Sequence, residues 1–348
     1  MKKLLLLVMA LVGSVSAFAQ ASDIVTATLQ TDEGTTVFYG IDAFKDALAA
    51  APNTGGVITL SPGGFSNPGA IKKSVKIYGA GFHKDEVKNI RETLVYNYLT
   101  ITSTDELSPV VHIEGIYFSE HAVINGTQPI SNTEIVRCSF KNFAHQAESN
   151  NVTLRQCYIR GTIEGTGMMA TAFVVRNCYV DFNIVGFAAG SEVLVDHCIL
   201  KLNGRYSGNQ FGPYVFTNNI CDHSYNYING GATCYNNVGF EASFSNNGYN
   251  TSSGNYDVAE WQSYANLFAD GQNDLEYYLT DTTTPRTWEL KDPTKYVGTD
   301  GKTCGAIDGR YPWNPTPVIP RIYSTTVDSE SEFGKLNVTI KAEAGSAE

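Results

Sequence analysis

Four side chains in this sequence have the types that acid–base chemistry on a large substrate requires: His145, Glu164, Arg205 and His223. A histidine can take a proton near neutral pH, Glu164 can give one, and Arg205 can clamp a carboxylate through its planar fork. Tyr206, Tyr225 and Tyr227 stand in the same segments, and Tyr158 and Tyr179 follow directly on two cysteines. A tyrosine presents an apolar ring with a polar tip, which suits stacking on a sugar and equally suits burial under another part of the chain. Each histidine taken singly reads more readily as a surface or hydrogen-bonded residue than as a base. The stretch Asn183-Ile-Val-Gly-Phe-Ala-Ala-Gly190 carries no ionisable group and would interrupt a continuous catalytic row.

What must position these residues is a repeat. Ile135-Val-Arg-Cys-Ser-Phe140, Leu154-Arg-Gln-Cys-Tyr-Ile159, Val175-Arg-Asn-Cys-Tyr-Val180 and Val195-Asp-His-Cys-Ile-Leu200 place Cys138, Cys157, Cys178 and Cys198 at one point of a recurring phrase. A period of about 20 residues marks a solenoid whose repeats bury their apolar faces against one another. Aligned on the cysteine, the column three residues before it is Ile113, Ile135, Leu154, Val175, Val195 and Phe216. The column one before it is Gly115, Arg137, Gln156, Asn177, His197 and Asn218, with Asn236 following. Glycine and asparagine tolerate left-handed backbone, so this column predicts a tight corner between two strands.

Seven cysteines is an odd number, and four repeat at one place. Rungs stack about 4.8 Å apart, so these four are expected as a column of buried hydrophobes rather than bridges. A straight column also lacks the tetrahedral convergence of a thiolate metal site. Two outward columns, Lys141, Arg160, Asp181, Lys201 and Asp222, and Glu114, Arg155, Arg176, Asp196 and Thr217, mix signs and are expected as solvated ladders.

Met1 to Ala19 has Lys2-Lys3, an apolar run and Ala17-Phe18-Ala19, the pattern of a cleaved signal peptide. That predicts export, to the periplasm, the cell surface or beyond. No other run is long and apolar enough to span a bilayer. The formal charge of -11, with Lys and Arg scattered, argues against nucleic acid as a partner.

Ile41, Phe44, Ala47 and Leu48 keep helical spacing before Pro52-Asn-Thr-Gly-Gly56, and predict a helix that lids the first rung. Gly56-Val-Ile-Thr-Leu-Ser-Pro-Gly-Gly64 and Val75-Lys-Ile-Tyr-Gly-Ala-Gly-Phe82 follow. Helix, Gly-Gly strand and Val-x-Ile-x-Gly-x-Gly strand together resemble the opening of the pectin lyase-like right-handed parallel β-helix superfamily. The resemblance implies a cleft at the segments Asn142–Ala147, Gly161–Gly165, Asn183–Ala188, Asn203–Gln210 and Asp222–Tyr227, and all but the third carry the acid–base and aromatic candidates. It implies lyases using Ca2+ or hydrolases using clustered Asp. No Asp-Asp pair or Asp-x-x-Asp cluster occurs inside the coil, so Ca2+ is unsupported and no cofactor is expected.

The segment from Thr303 to Tyr323, with Tyr311-Pro-Trp313 and spaced prolines, is similar to the close of exported Gram-negative bacterial β-helix proteins of unassigned role, although Arg310 stands where a small residue is expected. The expected organisation is a signal peptide over 1–19, then a parallel β-helix over 20–295 with a helical N-terminal cap and an irregular C-terminal cap. A Pro-containing linker and strand pair follow over 296–348, the pair serving as a docking element for a protein partner. The expected function is carbohydrate binding by an all-β envelope protein, with a polysaccharide lyase or hydrolase, or a structural or adhesive surface protein, as alternatives.

Overall fold

One period of the sequence folds as one turn of a coil. The computed structural model describes residues 24–85, 88–201, 214–222, 231–239, 251–258, 267–269, 288–327 and 338–345. Val111–Glu114, Tyr117–Phe118 and Ala122–Gly126 make one turn, and Ile130–Val136, Ser139–Phe140 and Phe143–Gln146 the next. Like strands stack in parallel, and among the described residues they form ten strands of a twelve-stranded long sheet, a second sheet of ten and a third of six. This is a right-handed parallel β-helix, as the repeat predicts. Ile113, Ile135, Leu154, Val175, Val195 and Phe216 pair rung to rung and all lie in the core. Each such side chain contributes roughly 1.5–3 kcal/mol by leaving water.

The corner column behaves as its composition predicts. Gly115, Arg137, Gln156, Asn177, His197, Asn218 and Asn236 have φ of 73°, 47°, 53°, 49°, 50°, 60° and 50°. One left-handed residue turns the chain from the long sheet into the second, so the next residue faces inward. That residue is the cysteine, and all seven cysteines of the chain are free and buried. Cys157 Sγ donates to Ile135 O at 3.3 Å and Cys178 Sγ to Leu154 O at 3.4 Å, each reaching back one rung. Further along, Asn219, Asn237 and Asn255 take over the position: Asn219 Nδ2 donates to Val195 O at 2.9 Å and to Asn237 Oδ1 at 2.8 Å.

Helix α1, Ala43–Ala50, buries Ala43, Phe44, Ala47 and Leu48 on the first rung, and the antiparallel strands Thr26–Thr31 and Gly34–Tyr39 extend the long sheet there. Lys73 Nζ donates to Leu48, Ala49 and Ala51 carbonyls at 3.4, 2.9 and 2.5 Å, setting a cation at the helix C-terminus. The lid expected over the first rung is therefore present.

The Pro-containing stretch expected as a linker is instead a strap, for its carbonyls accept bonds from the corner column. It runs back along the coil, from Val297 beside Asn236 to Val318 beside Glu114. The expected strand pair follows as Arg321–Val327 antiparallel to Val338–Glu343. Its base docks on the coil: Arg321 bonds Glu343 and Ala80 O, and Glu343 also pairs with Lys88. The signal-peptide segment and most of the irregular cap lie outside the described residues.

Candidate functional site

The repeat sends alternate side chains of the long sheet outward, and the strap closes one side of that face. Register aligns Lys76, His112 and Glu134 on three successive strands, and Tyr78 and Glu114 on the neighbouring outward column. They lie beside an open groove of about 1170 Å³, which Lys76, His112 and Glu134 line. Its other walls are the Asp32–Thr36 turn, the Pro52–Gly56 segment after α1, and Asn132.

The cluster is tightly paired. His112 Nδ1 lies 2.9 Å from Glu134 Oε2 and its Nε2 3.5 Å from Glu114 Oε2. Arg137 Nη1 donates to Glu114 Oε1 at 3.0 Å, as does the strap's Val318 N–H at 2.8 Å. Arg155 Nη2 donates to Glu134 Oε1 at 3.0 Å. The His112 bond, working against burial and helped by Arg155, carries the Glu134 carboxyl down to about 2. Burial opposes ionisation of Glu114, yet His112, Val318 N–H and Arg137 together hold its pKa below the ordinary value. For His112 burial works the other way, and the two glutamates outweigh it and raise its pKa. Burial, then the two glutamates, raise the Tyr78 pKa.

A second cluster lies further along the same face. Arg176 Nε donates to Asp196 Oδ2 at 2.9 Å, and Asp196 Oδ1 meets His197 Nδ1, Thr217 Oγ1 and Asn218 Nδ2, each at 2.9 Å. Burial pushes against the Asp196 charge, but His197, Thr217 and Arg176 bring its pKa to about 2. Tyr311 of the strap sits between the clusters, with Arg155 Cζ 4.4 Å and Arg176 Cζ 6.0 Å from its ring centroid.

Of the expected acid–base row, His145 and Glu164 fall among the described residues. His145 is buried in the core between Phe173 and Phe187, with Nε2 2.7 Å from Ser149 Oγ, and burial lowers its pKa to about 4. Glu164 is exposed on the neighbouring strand. It pairs with Ala144 rather than His145, so the two side chains point to opposite faces of the third sheet. His145 thus packs inside the coil, while Glu164 stands on its surface. Tyr158 and Tyr179, expected as a stacking surface, are buried under the strap, Tyr179 stacked on Trp288 at 5.7 Å and 6°. The coil's Tyr column is apolar surface for the C-terminal segment, the other role its chemistry allows. Arg205, Tyr206, His223, Tyr225 and Tyr227 lie outside the described residues.

His112 and Glu134 are the functional residues that the sequence pattern does not single out, whereas Glu114, Arg155, Arg176 and Asp196 share the next outward column. The signal was available two residues before that column. No helix among the described residues is long and apolar enough to cross a membrane. No family model matches the chain, and neither a curated protein nor a solved structure does. Fold and face define a strapped right-handed parallel β-helix with a charged groove on its long sheet.

Proposed function

We propose that this chain is an exported β-helix protein that binds carbohydrate along the groove of the long sheet. The observation that carries this is the alignment of Lys76, His112 and Glu134 on three successive rungs beside an open groove of about 1170 Å³. Rungs about 4.8 Å apart present hydrogen-bonding groups at a spacing suited to an extended polymer. Charged pairs locked by their neighbours are preorganised, so little side-chain entropy is lost on binding. Binding suits the geometry better than acid–base turnover. His112 faces two carboxylates within 3.5 Å, which raise its pKa, and each carboxylate also accepts from an arginine, so the group best placed to exchange protons is tied to fixed partners.

The test is calorimetric titration of the purified protein with neutral and acidic polysaccharides, recording in parallel the ultraviolet absorbance of unsaturated products. Binding without product, weakened about tenfold or more by Glu134→Gln through loss of a charged hydrogen bond, is expected. Product formation would replace binding by a lyase activity. No retention on any glycan would end the proposal.

A further inference from the structure

The chain is acidic, with a formal net charge of -11, yet three guanidinium groups gather around one aromatic ring on this face. Arg155, Arg176 and Arg310 have their Cζ atoms 4.4, 6.0 and 5.2 Å from the Tyr311 centroid. Two come from successive rungs of the long sheet, where Arg155 pairs with Arg176 in register. The third comes from the strap. Arg155 is held by Glu134 and Arg176 by Asp196, each through a charged hydrogen bond. Arg310 is exposed and makes no ion pair with a described residue. The neighbouring carboxylate of Asp308 accepts from the N–H groups of Thr303 and Gly309 at 3.0 and 2.9 Å.

Placement of the strap here is close. Gly309 has φ 88°, and a Cβ there would stand 2.7 Å from the His197 ring. Only glycine lets the backbone come down on that corner, and the next two residues are Arg310 and Tyr311. Arg155 and Arg176 reach the ring from adjacent rungs of the sheet and Arg310 from the strap. A single arginine meets a planar carboxylate through two parallel bonds, whereas several arginines arriving from different directions match an anion with oxygens on all sides.

We propose that Arg155, Arg176 and Arg310 around Tyr311 form a subsite for a tetrahedral oxyanion, a sulfate ester or phosphate, carried by the bound glycan. The site lies on the two strands of the long sheet that follow the strand of Glu134, and Arg155 joins it to the groove through its bond to Glu134. The inference rests on the carbohydrate reading for its carrier and on the arginine geometry for its anion.

The test titrates the full chain and its Arg310→Gln variant with four probes: a sulfated polysaccharide, the same polymer chemically desulfated, a phosphorylated oligosaccharide and inorganic sulfate. Because Arg310 is exposed, its replacement leaves the fold intact. The sulfated or phosphorylated glycan should bind at least tenfold more tightly than the desulfated polymer, an advantage that falls with added salt and is mostly lost in Arg310→Gln. The two anionic probes distinguish sulfate from phosphate. Binding of inorganic sulfate alone, abolished by Arg310→Gln, would uphold the anion subsite and refute the carbohydrate reading. Equal binding of sulfated and desulfated polymer would overturn the subsite and leave the carbohydrate reading standing. No difference between the variant and the parent on any probe would also overturn the subsite.

Discussion

Asp196→Asn isolates one charge in the network that positions Arg176. The side chain is only 14% exposed, and its two oxygens meet Arg176, His197, Thr217 and Asn218. Burial works against ionisation, and the partners overcome it, taking the carboxyl from its ordinary 3.8 to about 2. Each tenfold change in proton affinity is about 1.4 kcal/mol, so the folded state gains roughly 2 kcal/mol from the charged form at neutral pH. A carboxyl whose folded pKa is depressed contributes stability above its unfolded pKa and loses it as pH falls through the folded one. The contribution should be complete above about pH 5, about half remain near pH 3, and little survive below about pH 2. Asparagine keeps the shape but carries no titrating charge. Urea denaturation followed by circular dichroism should therefore show the variant less stable by roughly 2 kcal/mol at pH 7, with the gap to the parent closing between pH 4 and 2. A gap of the same size at pH 7 and pH 3 would show that the loss is one of packing, and the account of Asp196 as the charged centre of the cluster would fail.

Arg137→Ala leaves Glu114 buried against an absent cation, so it should cost roughly 3–5 kcal/mol and expose the strap to limited proteolysis between residues 296 and 320; a protease-resistant strap would contradict its anchoring. Tyr179→Ala removes a fully buried ring from against Trp288 and should cost about 3 kcal/mol while shifting tryptophan emission to longer wavelength. Burial raises the thiol pKa of Cys138 and Cys178 and pushes those of Cys234 and Cys304 up to about 12. A thiol reagent at pH 7.5 should consequently label none of the seven cysteines in the folded chain and all of them in denaturant, and rapid labelling of native protein would contradict the column.

The coil was legible because its information is local and periodic. An inward aliphatic, a left-handed residue and an inward cysteine recur at one spacing, and each rung repeats the same steric problem. Helix α1 was legible for a similar reason, since Phe44, Ala47 and Leu48 keep one face. The site was not, because it depends on register between strands and on a segment distant in sequence. Nothing in Asn142–Ala147 shows that Ala144, and not His145, stands level with Glu164. The tyrosines after the cysteines were known to face out of the coil, but whether they meet sugar or protein depended on where Trp288 and Cys304 come to rest.

The strap explains a cost that the coil alone leaves uncovered. Six non-glycine residues, Arg137, Gln156, Asn177, His197, Asn218 and Asn236, hold left-handed backbone at successive corners, at roughly 1 kcal/mol or more each. Every one of them reaches the strap. Arg137 donates to Asn314 O, Gln156 to Pro312 O, Asn177 to Ala306 O and Asp308 O, and Asn236 to Val297 O. Asn218 exchanges bonds with Thr299, and His197 Nε2 faces Asp300 at 3.6 Å. The corner side chains are mostly donors, so the strap must offer carbonyls. Proline has no N–H to satisfy and holds the chain extended, which suits a segment that binds through its oxygens and would otherwise bury idle donors. The proline content that reads as a linker therefore marks a docked strand without a ladder. Because the strap is held rung by rung, the position of Arg310 and Tyr311 over the long sheet is fixed by the same repeat that builds the coil. The charged face consequently belongs to the coil and the strap together, and loosening any one corner should weaken it.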